Sequence, residues 1–175
     1  MTNGLPAHWF SGAGPMPPLW HLTLGGKTFH NGIGPQAVAN GNAFKFGITN
    51  PVGSGRNLYI TRLRYYSNAF DDFLQVRINP TGNLPTTLIP SHAQKSGLPA
   101  GLAELRWSIS TIANGITGGT ILDWSLPFTK NTVSEFDIPS SRVLAPGFSA
   151  TVQLSNNAGA STNVCAALDW CELEI

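Results

Sequence analysis

Charged side chains are scarce in this sequence. Asp, Glu, Lys and Arg make up 11% of its 175 residues, against roughly 25% in an ordinary soluble domain. Ten Lys and Arg against nine Asp and Glu leave a formal net charge of +1. That excludes the wide basic field with which a protein gathers nucleic acid. Arg56, Arg62 and Arg64 are too few to make such a field and are expected as a solvated face or as ion-pair partners. Cysteine is equally sparse. Cys165 and Cys171 stand roughly 20 Å apart on an extended strand, beyond the ~7 Å Cα separation that a disulfide tolerates. Both are expected as reduced, mostly buried thiols, which suits a reducing compartment. No apolar run is long enough to span a membrane. The first ten residues lack the basic-then-apolar order of a secretory leader. Helical periodicity is missing beyond a turn or two, and no internal repeat is visible, so solenoids and propellers are excluded.

The chain has Gly, Pro and aromatic residues in abundance, and they are unevenly spread. Residues 1–35 hold Gly4, Pro6, Gly12, Gly14, Pro15, Pro17, Pro18, Gly25, Gly26, Gly32, Gly34 and Pro35. Such density bars a long helix or a central strand. Interleaved are Trp9, Phe10, Leu19, Trp20 and Phe29, which a disordered tail would lack. Residues 1–35 are therefore expected to form an irregular arm that docks its rings, either on its own domain or on a neighbour. The Pro15 to Pro18 stretch would be a stiff spacer.

From Gln36 to Ile175 the sequence alternates with the period of strands. Phe44, Phe46 and Ile48 share one face. Asn50-Pro51-Val52-Gly53-Ser54-Gly55 is a turn. Leu58 and Ile60 then lie on the side of the arginines, with Tyr59, Thr61, Leu63 and Tyr65 opposite. Leu74, Val76 and Ile78 form the next strand. Residues 83–103 read as a long loop with a helical turn near Ser91 to Lys95. Strands follow at Leu105 to Ile109, Thr120 to Phe128 and Val133 to Ile138. Phe148, Ala150, Val152 and Leu154 face one way in another. In the last strand, Val164 to Ile175, the apolar phase changes after Trp170. That predicts a β-bulge there or a strand covered on both faces. About eight strands at regular spacing define an all-β chain, an antiparallel β-sandwich or jelly roll (36–175) with an irregular N-terminal arm (1–35).

Signatures of chemistry are weak. His8, His21, His30, His92 and the two cysteines lack metal-ligand spacing, so neither metal nor cofactor is expected. Asp71-Asp72 suits a turn, and Glu172 and Glu174 suit a solvent-facing row. Gly53-Ser54-Gly55 follows a β-turn and is no nucleophile elbow; its glycines are expected at positive φ. No catalytic residue is assigned. Trp107 and Trp170 belong to strand patterns and are expected in the core. Exposed tryptophans in the arm would anchor a protein interface or stack on sugar.

Three segments carry a resemblance. They are the run Asn50 to Ile60, the run Leu144-Ala145-Pro146-Gly147-Phe148, and Trp170-Cys171-Glu172. In this order they resemble small β-sandwich virion proteins of tailed bacteriophages, of the head decoration (cement) type. The resemblance implies a jelly-roll-like body, a homo-oligomer, in particular a trimer, and binding to the major capsid protein on the virion surface after assembly in the host cytoplasm. It implies no nucleic-acid or membrane partner. Trp9, Phe10, Leu19 and Trp20 would be the arm's contact residues. A tail or head fibre, a receptor-binding domain and a carbohydrate-binding module share the same kind of body and remain alternatives. Deleting residues 1–35 is expected to leave the body folded and to abolish assembly.

Overall fold

The computed structural model describes residues 22–23, 25–68, 74–94, 97–123, 131, 133–137 and 143–175. Twelve strands follow in order: β1 (Thr28–Val38), β2 (Asn42–Thr49), β3 (Arg56–Ser67), β4 (Leu74–Ile78), β5 (Thr87–Ile89), β6 (His92–Ala93), β7 (Glu104–Thr111), β8 (Thr120–Asp123), β9 (Ser134–Asp137), β10 (Val143–Leu144), β11 (Ser149–Ser155) and β12 (Thr162–Glu174). One sheet runs β10-β3-β12-β1-β6, with β9 also pairing β3. The other runs β5-β7-β2-β11-β4-β8. Every pairing is antiparallel.

The path β1, β2, β3, β4, β8, β9, β11, β12 produces a β9-β3-β12-β1 sheet facing a β2-β11-β4-β8 sheet. This is jelly-roll wiring, so the expected all-β sandwich is the fold observed. Between β4 and β8 an insertion adds β7 and β5 beyond β2, and β6 beyond β1. The expected helical turn near Ser91 is therefore the short strand β6. Its His92 and Ala93 pair with His30 and Phe29, and Ser91 is tied to the carbonyl of Gly101.

One core fills the space between the sheets. Phe44, Phe46, Ile48, Leu105, Ala150, Val152 and Leu154 come from one side, and Phe29, Ile60, Leu63, Tyr65, Val164, Ala166, Leu168 and Trp170 from the other. These are the alternating positions expected for β2, β7, β11 and β12. In β3 the alternation slips. Leu58, Ile60, Leu63 and Tyr65 all face the core, whereas the sequence splits them between two faces. Ile60 pairs with Trp170 and Arg62 with Asp169, so Thr61 is the extra residue of a bulge. Its hydroxyl donates to the Asp169 carbonyl at 3.0 Å. The bulge opposite Trp170 is thus carried by β3. β12 also ends covered on both faces, because Cys171 and Leu173 pack under Leu22 on the outer side.

The expectation that Gly and Pro bar a central strand anywhere in residues 1–35 fails at 28–35. β1 pairs with β12 from Thr28 to Val38, and with β6 at two positions only. Gly34 and Pro35 sit where the register shifts between Ile33 and Gln36. A proline without an N–H is tolerated at such a bulge on an open edge. Gly32 is required by close approach: a Cβ there would lie 2.5 Å from the Ala166 carbonyl oxygen. Residues 1–21 lie outside the described residues. So do 124–128 of the strand expected to run to Phe128; β8 is described from Thr120 to Asp123.

The outer face of the β2-β11 sheet is covered rather than wet. The loops at 80–86 and 112–118 lie over it, joined by the Gly82–Thr117 bridge and by Asn83 Nδ2 donating to the Gly115 carbonyl at 3.0 Å. Beneath them Lys45 is buried. Its ammonium donates to the carbonyls of Asn83 (2.6 Å) and Asn114 (3.3 Å). Burial lowers its pKa from the ordinary value. Gln153 accepts from the Ile116 N–H at 2.7 Å beside it.

Candidate interaction surface

The segments Asn50 to Ile60, Leu144 to Phe148 and Trp170 to Glu172 meet at one end of the sandwich. The turn after β2 and the turn before β11 are built by their own residues. Gly53 and Gly55 adopt φ of +78° and +65°. In Ala145-Pro146-Gly147-Phe148, the Phe148 N–H donates to the Ala145 carbonyl at 3.0 Å and Gly147 has φ +87°. Pro then Gly at the two central positions is the preference of a type II turn.

Asn50 ties these turns together. Its side chain is buried and its Nδ2 donates to the carbonyls of Leu144 (2.7 Å) and Arg56 (2.8 Å). Its backbone N–H donates to Phe148 at 2.9 Å, and its carbonyl accepts from Gly147 at 2.8 Å. An amide is suited to this position because its NH2 supplies two donors, one for each of the two carbonyls.

The third segment is tied in through Glu172, which is 1% exposed. The solvent-facing row expected of Glu172 and Glu174 is therefore wrong for Glu172. It shares the core face with Trp170, at the mouth between the sheets, and is covered by the loop entering β7. Its carboxylate accepts from Ala103 N–H (3.1 Å) and Trp170 Nε1 (3.2 Å) on one oxygen. The other oxygen accepts from Leu102 N–H (3.0 Å) and Arg56 Nη1 (3.2 Å). Four donors match the acceptor-only chemistry of the group, which is how a buried carboxylate is tolerated. Glu174 remains exposed and pairs with Lys27 at 3.2 Å.

Four apolar side chains are exposed at this end. Val52 is 88% exposed, Ile175 76%, Phe148 45% and Val143 43%. Val52 lies against Gly147, its Cγ2 3.3 Å from where a Cβ would stand. The Ile175 N–H donates to the Gly55 carbonyl at 3.2 Å, and Val143 is the register partner of Tyr59. Tyr59 in turn packs on the small cluster of Leu22, Cys171 and Leu173. Burial, followed by the nearby charge of Asp169, pushes the Cys171 thiol up to about 12. Such a thiol is inert. The half-exposed Cys165 is also raised, by burial. Both cysteines are free, as expected.

The four arm residues Trp9, Phe10, Leu19 and Trp20 lie outside the described residues, as do His8, His21, Asp71, Asp72 and Trp124. Trp170 is fully buried and stacks on Phe29 at 5.9 Å, and Trp107 packs against Phe44 at 6.3 Å. Arg56, Arg62 and Arg64 pair with Glu172, Glu135 and Asp169 respectively, the ion-pair role weighed for them. His30 and His92 are exposed register partners. Among the described residues no group of three His, Cys, Asp or Glu is placed to hold a metal ion. Sequence reasoning missed Asn50 and Glu172, although both fall inside the segments singled out for resemblance. No helix among the described residues is long and apolar enough to cross a membrane.

No protein-family model matches the chain, and neither a curated protein sequence nor a solved structure matches it.

Proposed function

We propose that this is a structural virion protein of the phage-head decoration type, which stabilises a capsid by binding across its subunits. One observation carries the reading. The three segments behind the resemblance are scattered over more than a hundred positions of sequence, yet they form one continuous end of a jelly roll. That end is internally fixed by Asn50 and Glu172 and shows solvent an apolar tip. Exposed apolar side chains on rigid turns suit a protein surface as partner. Repetition on a lattice multiplies weak contacts into avidity, and each contact adds to the stability of the particle by linkage.

The copy number of this chain relative to the major capsid protein, in purified particles from its source, tests the proposal. A ratio matching the capsid lattice supports decoration. A few copies per particle would assign the chain to a fibre or a vertex. Particles without it would overturn the virion reading. The carbohydrate-binding alternative draws on exposed tryptophans; of the two tryptophans in the described body, Trp170 is buried in the core and Trp107 is half-buried against it.

A further inference from the structure

The described chain begins at Leu22, and Leu22 is fully buried. It packs with Cys171, Leu173 and Tyr59 on the outer side of the β3-β12 sheet. Tyr59 stands directly opposite Val143, and Leu173 is two residues from Ile175. The root of the arm is therefore fixed beside the apolar tip formed by Val52, Val143, Phe148 and Ile175. A turn fastens that root, with Lys27 N–H donating to the Leu22 carbonyl at 2.9 Å and Lys27 pairing with Glu174.

Residues 1–21 carry apolar side chains of the kind such a tip would bury: Trp9, Phe10, Leu19 and Trp20. Leu19 and Trp20 are three and two positions from the buried root. Trp9 and Phe10 are far enough along that an extended spacer, at ~3.1 Å per residue, carries them up to about 40 Å away. To cover the tip beside their own root they would have to double back. A neighbouring copy whose tip stands within that extended reach receives them directly. We propose that the apolar tip is the seat for residues 1–21 of a second copy of this chain, so that copies join by reciprocal or ring-like exchange of arms. The low-charge body favours such association, and one patch receiving one arm per copy is satisfied by reciprocal exchange in a two-fold dimer or by a closed head-to-tail ring. The inference goes beyond the virion reading and does not depend on it.

The test uses the purified full-length chain without any particle. A photo-crosslinking benzoylphenylalanine replaces Val52, and equal amounts of 14N- and 15N-labelled chains are mixed, dissociated and reassembled before irradiation. The expected products join position 52 to peptides within residues 1–21, and about half of them combine one light and one heavy partner. Cross-links to the arm that never mix isotopes would show the arm seated on its own body and would overturn the proposal. So would cross-links only to other surfaces, or none. In parallel, Val52→Asp with Phe148→Asp is expected to weaken self-association about a hundredfold, since each buried anchor is worth roughly tenfold or more. Trp9→Ser with Trp20→Ser should produce the same loss. Far-UV circular dichroism should be unchanged in both, and the urea midpoint should match that of the unsubstituted chain diluted until its copies separate, since lost association removes its share of stability. If the aspartates disturb the fold, Val52→Ser replaces them with a smaller expected loss. Self-association that survives the tip substitutions would refute the assignment. A chain absent from virions could still pass every one of these tests, and a true virion protein could fail them.

Discussion

Replacing Glu172 by Gln changes one oxygen into an NH2 and almost nothing in volume. The carboxylate accepts four donors, two on each oxygen. The amide has one oxygen, so whichever way it turns, its NH2 faces two donors. With the oxygen toward Ala103 and Trp170, the N–H of Leu102 is left unpaired and Arg56 loses its anion. A stranded buried polar group costs about 1–3 kcal/mol, and breaking one side of a buried ion pair about 3–5 kcal/mol. Arg56 is 30% exposed and can turn toward water, which trims its share. The expected loss is about 3–4 kcal/mol, a fall in Tm of roughly 6–16 °C at about 2–4 °C per kcal/mol. Glu174→Gln is the matched control, on the same strand and the same sheet. Its side chain is 68% exposed and, among the described residues, pairs with Lys27, so its removal should cost below about 1 kcal/mol. Urea unfolding followed by tryptophan fluorescence reads both. If Glu172→Gln costs no more than Glu174→Gln, the carboxylate is not what fastens the β7 loop to this end.

Truncation distinguishes the arm from the strand it leads into. A chain lacking residues 1–21 should remain folded and lose self-association. A chain lacking 1–35 should fail to fold, because it also loses most of β1, including Phe29, whose core burial alone is worth roughly 3–5 kcal/mol. Total stabilities of about 5–15 kcal/mol leave little room for that. A cooperative transition at an unchanged temperature in the shorter chain would contradict the pairing of β1 with β12. Alkaline titration is a third check. The native Cys171 thiol, near 12 where the ordinary value is 9.0, keeps a proton that the unfolded chain gives up. Its contribution is complete below pH 9 and is lost as pH climbs toward 12, by up to about 1.4 kcal/mol per unit. Cys171→Ala should flatten the alkaline fall of the urea midpoint, whatever it does to stability at pH 7.

Where one face of a strand meets the core and the pattern is unbroken, the sequence was enough. Phe44-Phe46-Ile48 and Ala150-Val152-Leu154 are core in the fold as their alternation requires. β3 defeated the same logic because one inserted residue, Thr61, exchanges its faces, and a bulge has no composition of its own. β1 was hidden by Gly32, Gly34 and Pro35, residues that argue against a strand until the close approach at Ala166 and the edge bulge are known. Glu172 looked like a solvent position because charged residues usually are exposed, and Lys45 lies on the polar phase of β2. Each is buried under a loop distant in sequence, and only tertiary structure supplies their partners. At the tip, the turn chemistry of Gly53, Gly55 and Gly147 was legible. The convergence of the two turns on Asn50 was not, since it joins positions 50 and 144.

The small cluster of Leu22 with Cys171 also makes the root of the arm a chemical clock. Cys171 is wholly covered, and Cys165, on the same strand, is half exposed. An alkylating reagent reaches the first thiol only while its cover is lifted, and the second continuously. The ratio of the two modification rates, corrected for thiolate content, therefore reports how often the cluster of Leu22, Leu173 and Tyr59 opens around Cys171.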